Sequence, residues 1–149
     1  HTNDAPSTIT RLQNMGTPDY LISAATQLVV AQRLARKNCK DCKIPDEDVT
    51  PKVLQDLGFS AEAASRVKAV KGKGCSKCSN TGYKGRQGIY EILVVSKPIK
   101  EAILRQATTP ELREIGIKEG FQTMQDMGRR LIASGELNFR EYERVLSVD

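Results

Sequence analysis

Apolar residues in the first 38 positions follow a helical period and then a strand-like run. One predicted helix begins after Asp4 and ends at Gly16, and its apolar residues share one face. A second helix is expected from about residue 17 to Thr26. Residues 28–37 predict a buried strand, because they are apolar, partly β-branched and free of helix caps. Two helices and one strand cannot form layers alone, so residues 1–38 should be the end of a larger α/β sheet.

After residue 86, the sequence pattern is first typical of a strand and then of helices. Residues 87–96 have strong β propensity and predict a strand that returns to the sheet left at residue 37. Residues 97–149 predict a group of helices, and glycines end several of them. Asn138 should cap the last helix.

Four cysteines lie between these two halves as two identical steps, Cys39-Lys-Asp-Cys42 and Cys75-Ser-Lys-Cys78. Two such turns supply the four thiolates of a tetrahedral structural Zn²⁺ site, and no position stays open for a catalytic water. Residues 39–86 should therefore form a zinc module whose fold depends on the metal. Four buried free thiols, or a redox pair, are the alternatives.

The composition limits the classes of protein to which this chain can belong. The 149 residues are 39% hydrophobic with a formal charge of +5, which is typical of a globular protein. No apolar run approaches the roughly 20 residues of a membrane span, and no signal peptide is visible. The chain begins with His1, so we expect a piece of something longer. Residues 66–86 carry seven basic residues and no acid. A zinc-ribbon nucleic-acid binder is thus an alternative, although Tyr83 is the only aromatic residue there to stack on bases.

Two kinds of catalytic site are absent from the sequence. No phosphate loop of the form GxxxxGK[ST] occurs, so the chain lacks the principal ATP-binding motif. His1 is the only histidine, which leaves no Ser-His-Asp set.

Several short motifs occur in a fixed order along the chain. They are His1-Thr-Asn-Asp-Ala5, Gln32-Arg-Leu-Ala-Arg36, the two cysteine turns, Thr81-Gly-Tyr-Lys-Gly-Arg86 and Gly88-Ile-Tyr-Glu91. In this order they resemble the C-terminal part of the secretion ATPase superfamily, in the branch with a tetracysteine insert. That branch contains the type IV pilus assembly ATPases and the type II secretion ATPases, and we favour pilus assembly. The segment 75–88 also resembles the cysteine-rich repeat of Hsp40 chaperones, so a module that holds unfolded protein is a further alternative.

The resemblance implies a fold and a division of the chain. Residues 1–38 would end a RecA-like P-loop ATPase core of the α/β class, and residues 39–86 would be an inserted zinc module. Residues 87–96 would return to the core sheet, and residues 97–149 would form a C-terminal helical domain. The whole protein would be a hexameric motor that hydrolyses ATP with Mg²⁺. It would act on the cytoplasmic side of the inner membrane with a platform protein, and no nucleic-acid partner is expected.

The resemblance also implies roles for individual residues. His1 would be the catalytic histidine near the γ-phosphate, and Thr2 and Asn3 would shape the nucleotide loop. Arg33 and Arg36 would serve the nucleotide site or a subunit interface, with ion pairs inside the fold as the alternative. Cys39, Cys42, Cys75 and Cys78 would hold the metal. Because the phosphate loop and the acidic Mg²⁺ site are missing, we expect the isolated chain to be inactive.

Overall fold

The computed structural model describes residues 2–147, and the chain divides into two compact units. The first comprises His1–Gln32 and Tyr90–Met124, and the second comprises Arg33–Ile89 and Gln125–Asp149. Both contain helical and strand residues, so the predicted mixture of α and β structure is confirmed. Within residues 2–147, no helix has both the length and the apolar character needed to cross a bilayer.

The helices and strands follow one another with short connections. The helices are α1 (Ala5–Asn14), α2 (Asp19–Ala25), α3 (Pro51–Asp56), α4 (Ala61–Arg66), α5 (Lys97–Leu104), α6 (Thr109–Lys118), α7 (Met124–Ser134) and α8 (Phe139–Leu146). The strands are β1 (Leu28–Asn38), β2 (Lys43–Pro45), β3 (Val70–Gly72) and β4 (Tyr83–Val94), and a 3₁₀ turn spans Ser76–Cys78.

Helix α1 begins as the sequence predicts. The Asp4 carboxylate accepts a hydrogen bond from the Ser7 amide at 2.9 Å, and the Ser7 hydroxyl accepts one from the Asp4 amide. This reciprocal capping satisfies two amide groups that the first turn of a helix leaves unpaired. Ile9 is fully buried, whereas Met15 is exposed, so the apolar face is shorter than its spacing suggests.

Strands β1 and β4 pair in a two-stranded sheet, and each strand has residues in both units. Buried and exposed positions alternate in the first part of β1 and from Ile89 to Val94 in β4. The prediction of a strand at residues 28–37 is confirmed, but its predicted burial holds for only one face of β1. In the first unit, the other face carries apolar side chains that are 43–58% exposed: Leu28, Val30, Tyr90, Ile92 and Val94. We call this set the apolar sheet face.

The buried side of the first unit contains one carboxylate. Glu91 is 3% exposed, and its two oxygens accept hydrogen bonds from the Ala5 amide at 2.6 Å and the Met124 amide at 2.9 Å. Those amides belong to the first residues of α1 and α7, where partial positive charge favours an anion. Glu91 thus joins the starts of two helices.

In the second unit, β2 and β3 form a short antiparallel ladder with Ile44 opposite Lys71. Thr50 and Ser60 cap α3 and α4 with their hydroxyl groups. The predicted helices of residues 97–149 are present, but they belong to different units. Helices α5 and α6 lie in the first unit, whereas all but the first residue of α7 and all of α8 lie in the second.

Candidate metal centre

The second cysteine turn is built by tight local hydrogen bonds. The amides of Cys75 and Gly82 donate to the Cys78 sulfur at 3.2 and 3.3 Å, and the Thr81 hydroxyl donates to the Cys78 carbonyl. Ser79 adopts a left-handed conformation with φ of 53°, which allows the chain to turn around this sulfur. Two backbone amides therefore donate to the Cys78 sulfur independently of any bound cation.

The first turn is held against the second by backbone contacts. The Cys39 amide donates to the Gly82 carbonyl at 2.9 Å, and the Lys73 amide donates to the Cys42 carbonyl at 2.9 Å. A Cβ atom on Gly72 would lie only 2.0 Å from the Gly82 carbonyl oxygen. Glycine at position 72 is therefore required for the chain to close around the cysteines.

The four sulfur atoms converge on one point. All four Sγ atoms lie within 4.8 Å of one another. The Sγ distances are 3.8 Å for Cys39–Cys75, 3.9 Å for Cys42–Cys78 and 3.7 Å for Cys75–Cys78. A tetrahedral zinc site with Zn–S bonds of about 2.3 Å has S–S edges of about 3.8 Å. The residues therefore fit Zn²⁺ in both number and spacing, and the expected convergence of the four cysteines is present.

The surroundings of Cys78 and Cys42 shift the pKa values of these two thiols in opposite directions. Burial raises the pKa of Cys78, but the amides of Cys75 and Gly82 and the neighbouring thiols outweigh it and lower this pKa to about 6. The Gly74 amide lowers the pKa of Cys42, but burial and the three other sulfurs outweigh it and raise this pKa to about 11. Cys78 is thus the thiol of this pair that carries negative charge most readily.

The ligand set defines what the site does chemically. Cys39 and Cys78 are buried, Cys42 and Cys75 are half-buried, and all four are free thiols. Four thiolates fill every position of a tetrahedral zinc ion, so bound zinc would brace the turns rather than activate water.

The residues expected near a nucleotide lie in two places. His1 is outside the described residues. Thr2 and Asn3 precede α1 in the first unit and help to line a shallow cleft of about 270 Å³ that Arg11 also borders. The Thr2 hydroxyl accepts a hydrogen bond from the Thr8 hydroxyl at 3.0 Å. The role of Thr2 and Asn3 at a nucleotide stays a prediction.

The two arginines of β1 have partners within the second unit. Arg33 donates to the Val145 carbonyl of α8 at 2.6 Å. Arg36 forms an ion pair with Glu141 at 2.8 Å and lies over the Tyr83 ring, 4.1 Å from its centre. The bond to Glu141 is the kind of ion pair inside the fold that was the alternative for Arg36. A role at the nucleotide site or at a subunit interface stays a prediction for both arginines.

Comparison with known protein families identifies one that matches almost the whole chain. The family model described as type II/IV secretion system protein matches residues 1–144. The chain belongs to this family. The predicted resemblance to the pilus assembly and type II secretion ATPases is therefore confirmed.

Relatives within the type II/IV secretion family carry two kinds of name. The type IV pilus assembly ATPase PilB of Thermus thermophilus is 42% identical over 131 residues, which cover 86% of this chain and 14% of that protein. PilB of Myxococcus xanthus is 36% identical over 141 residues, 95% of this chain and 25% of that protein. The type II secretion system ATPase E of Vibrio cholerae is 35% identical and is covered over 28% of its length. The chain thus spans between 14% and 28% of the length of these relatives.

Three residues that hold the cysteine turns against other segments were not predicted from the sequence. Asn38, Tyr83 and Glu141 each bond to segments distant in sequence. Only Glu141 had a local signal, because an acidic residue three positions after the capping Asn138 is a common helix start. The partners of Asn38 and Tyr83 depend on the tertiary fold.

Proposed function

We propose that this chain is the C-terminal part of a hexameric motor ATPase that drives assembly of pilin or pseudopilin at the inner membrane. The match of residues 1–144 to the type II/IV secretion family carries this proposal. Relatives named as pilus assembly ATPases or type II secretion ATPases support the motor function. The whole protein would act from the cytoplasmic side with a membrane platform protein, and ATP and Mg²⁺ would bind largely outside this chain.

Within the motor, we assign the segments as follows. Residues 1–38 and 87–96 would end a RecA-like core, residues 39–86 would be its zinc module, and residues 97–149 would be the C-terminal helical domain. His1, Thr2 and Asn3 would approach the nucleotide phosphates. The hydroxyl and amide groups beside Arg11 in the cleft of the first unit suit an anionic ligand, which supports this assignment.

The zinc ion would be structural. The convergence of four sulfurs at tetrahedral spacing supports this role, because a closed thiolate site has no position for substrate or water. One zinc per chain is expected in metal analysis of the purified protein, and a Cys39→Ser/Cys78→Ser variant should contain none. A zinc content near zero in the unmodified chain would contradict this part of the proposal.

A chimera tests the motor assignment. The matched stretch of Myxococcus xanthus PilB would be replaced by this chain, and ATP hydrolysis would be compared with that of unmodified PilB. We expect the chimera to hydrolyse ATP and the isolated 149 residues to show no turnover. A chimera that folds and binds zinc yet hydrolyses no ATP would refute the motor assignment. Turnover by the isolated chain would show that the nucleotide site is complete within it.

A further inference from the structure

The loop between α7 and α8 is bonded to the residue that precedes the first cysteine turn. Asn38 is 2% exposed and lies next to Cys39. Its amide donates to the Glu136 carbonyl at 2.9 Å, and its side-chain Nδ2 donates to the Gly135 carbonyl at 3.0 Å. The same Nδ2 lies 3.3 Å from the Val70 carbonyl of β3. One buried side chain therefore holds the loop and a strand that leads to the second cysteine turn.

A second connection runs from the other cysteine turn to the start of α8. Tyr83 follows Gly82, whose amide donates to the Cys78 sulfur. The Tyr83 hydroxyl accepts a hydrogen bond from Nδ2 of Asn138 at 3.0 Å. Through its Oδ1, Asn138 also caps α8 by accepting from the Glu141 amide at 2.7 Å. One amide side chain thus caps the helix and fixes it to the metal module.

A third connection is ionic. The Glu141 side chain is fully buried, and its Oε1 accepts a hydrogen bond from the Arg36 amide at 2.9 Å. The Arg36 guanidinium forms the ion pair with Glu141 and lies against the Tyr83 ring. These contacts bring the end of β1, the start of β4 and α8 together.

Apolar packing is incomplete beside these bonds. An open cleft of about 420 Å³ lies between the module and α8, and its lining is mostly polar or charged, including Asp46, Lys71 and Glu143. Side chains on the two sides of a cleft this wide do not pack against each other. The polar connections therefore carry a large share of the attachment on this side of α8.

From these contacts we propose that metal binding and the docking of α8 are thermodynamically coupled, with Asn38, Tyr83 and Asn138 as positioning residues. The inference rests on the proposed zinc site. Zinc fixes the cysteine turns, and the turns fix the residues to which α8 and its preceding loop are bonded. Loss of zinc releases those anchors and frees α8. Coupling between two binding events is reciprocal, so loosening α8 must weaken zinc binding by the same factor.

Hydrogen exchange of the full 149-residue chain tests whether bound zinc holds α8 in place. Amide exchange would be measured with zinc bound and after removal of zinc by a chelator, with α5 in the first unit as the internal control. We expect α8 amides to exchange at least about tenfold faster without zinc, because local opening then costs less free energy. Unchanged exchange in α8 would overturn the proposal. Equal acceleration of α5 and α8 would also overturn it, because the metal would then support the whole chain without a specific link to α8.

The zinc affinity of variants tests whether loosening α8 weakens metal binding. Tyr83→Phe removes the hydroxyl but keeps the ring, and Asn138→Ser keeps a capping oxygen but removes the amide donor. Each should weaken zinc binding about three- to tenfold, the range that corresponds to one net hydrogen bond. Because both changes remove the same bond, the double variant should bind zinc about as tightly as either single variant.

A matched control separates coupling from general loss of stability. The Ser96 hydroxyl donates to the Glu119 carboxylate at 2.6 Å in the first unit, so Ser96→Ala removes one side-chain bond that does not involve α8. This variant should retain the zinc affinity of the unmodified chain. Absorption of bound Co²⁺ should keep the same band positions in all variants, because the four thiolate ligands are intact. Equal zinc affinity in all variants would refute the coupling, whereas absence of zinc from the unmodified chain would refute the zinc site itself.

Discussion

Replacing Glu141 with glutamine removes a buried charge from the second unit without changing side-chain shape. The Glu141 carboxylate is fully buried and accepts hydrogen bonds from the Arg36 amide and from the guanidinium groups of Arg36 and Arg144. Glutamine keeps one acceptor oxygen, but its amide group faces two cationic donors. Both arginine side chains therefore lose their anionic partner.

The size of this loss follows from the acidity of the carboxyl group. Burial raises the pKa of Glu141, but the two arginines and the Arg36 amide outweigh it and lower this pKa from 4.5 to about 2. At about 1.4 kcal/mol for each pKa unit, the ionised group stabilises the fold by about 3 kcal/mol at pH 7. The arginine side chains are 47% and 53% exposed, so water partly replaces their lost partner. We therefore expect Glu141→Gln to lower the free energy of unfolding by about 2 to 3 kcal/mol.

The pH dependence distinguishes this charge from other effects of the substitution. Because the folded pKa lies below the unfolded one, the stabilisation is complete above about pH 5 and is lost as the pH falls toward 2. Urea unfolding of both chains should show a difference that shrinks to about 1 kcal/mol at pH 3. Acid also releases zinc, so the zinc content of both chains is measured at each pH and unfolding is compared only between samples of equal zinc content.

Glu143→Gln is the matched control, because Glu143 is an exposed residue of the same helix. It should change the free energy of unfolding by less than about 0.5 kcal/mol at either pH. A difference between the unmodified chain and Glu141→Gln that stays constant from pH 7 to pH 3 would refute the assigned ionic contribution.

Three further substitutions test the packing of each unit. Gly72→Ala should abolish zinc binding in metal analysis, because its Cβ would lie 2.0 Å from the Gly82 carbonyl oxygen. Gly85→Ala meets no atom closer than 3.8 Å, so it should lower stability by about 1 kcal/mol through its left-handed φ of 80° and still retain the metal. Gly128→Ala should lower stability in thermal unfolding by about 1 to 3 kcal/mol, since its Cβ would lie 2.4 Å from a leucine methyl group of α8; an unchanged melting temperature would contradict this packing. Glu91→Gln should cost about 2 kcal/mol in urea unfolding, because one of the two helix-start amides loses its carboxylate acceptor, and a neutral effect would show that neither bond contributes.

Local rules predicted local structure well. Asp4 and Asn138 cap the helices that their sequence context indicates, because capping depends on residues within one turn. The cysteine cluster was also predictable, since the spacing within each turn reflects the geometry of the ligands. The sheet begins earlier than expected at Tyr83, because the residues around Gly85 have weak β propensity and pair only with the help of β1.

Features that depend on tertiary contacts were not predictable. The apolar run of β1 indicated burial on both sides, yet the sequence could not show which elements cover each face. Helical periodicity identified α5 to α8 but gave no sign that they divide between two units. Likewise, nothing near Asn38 or Tyr83 in the sequence points to the loop before α8, because both residues bond to groups more than 50 positions away.

The apolar sheet face has a consequence for the behaviour of the chain in solution. It places five large side chains on one surface of a sheet that has only two strands in the described residues. Open strand edges next to such a surface favour pairing between molecules, as in the early steps of aggregation. The chain should therefore bind hydrophobic dyes while fully folded, and its solubility limit should rise when Ile92 or Val94 is replaced by threonine.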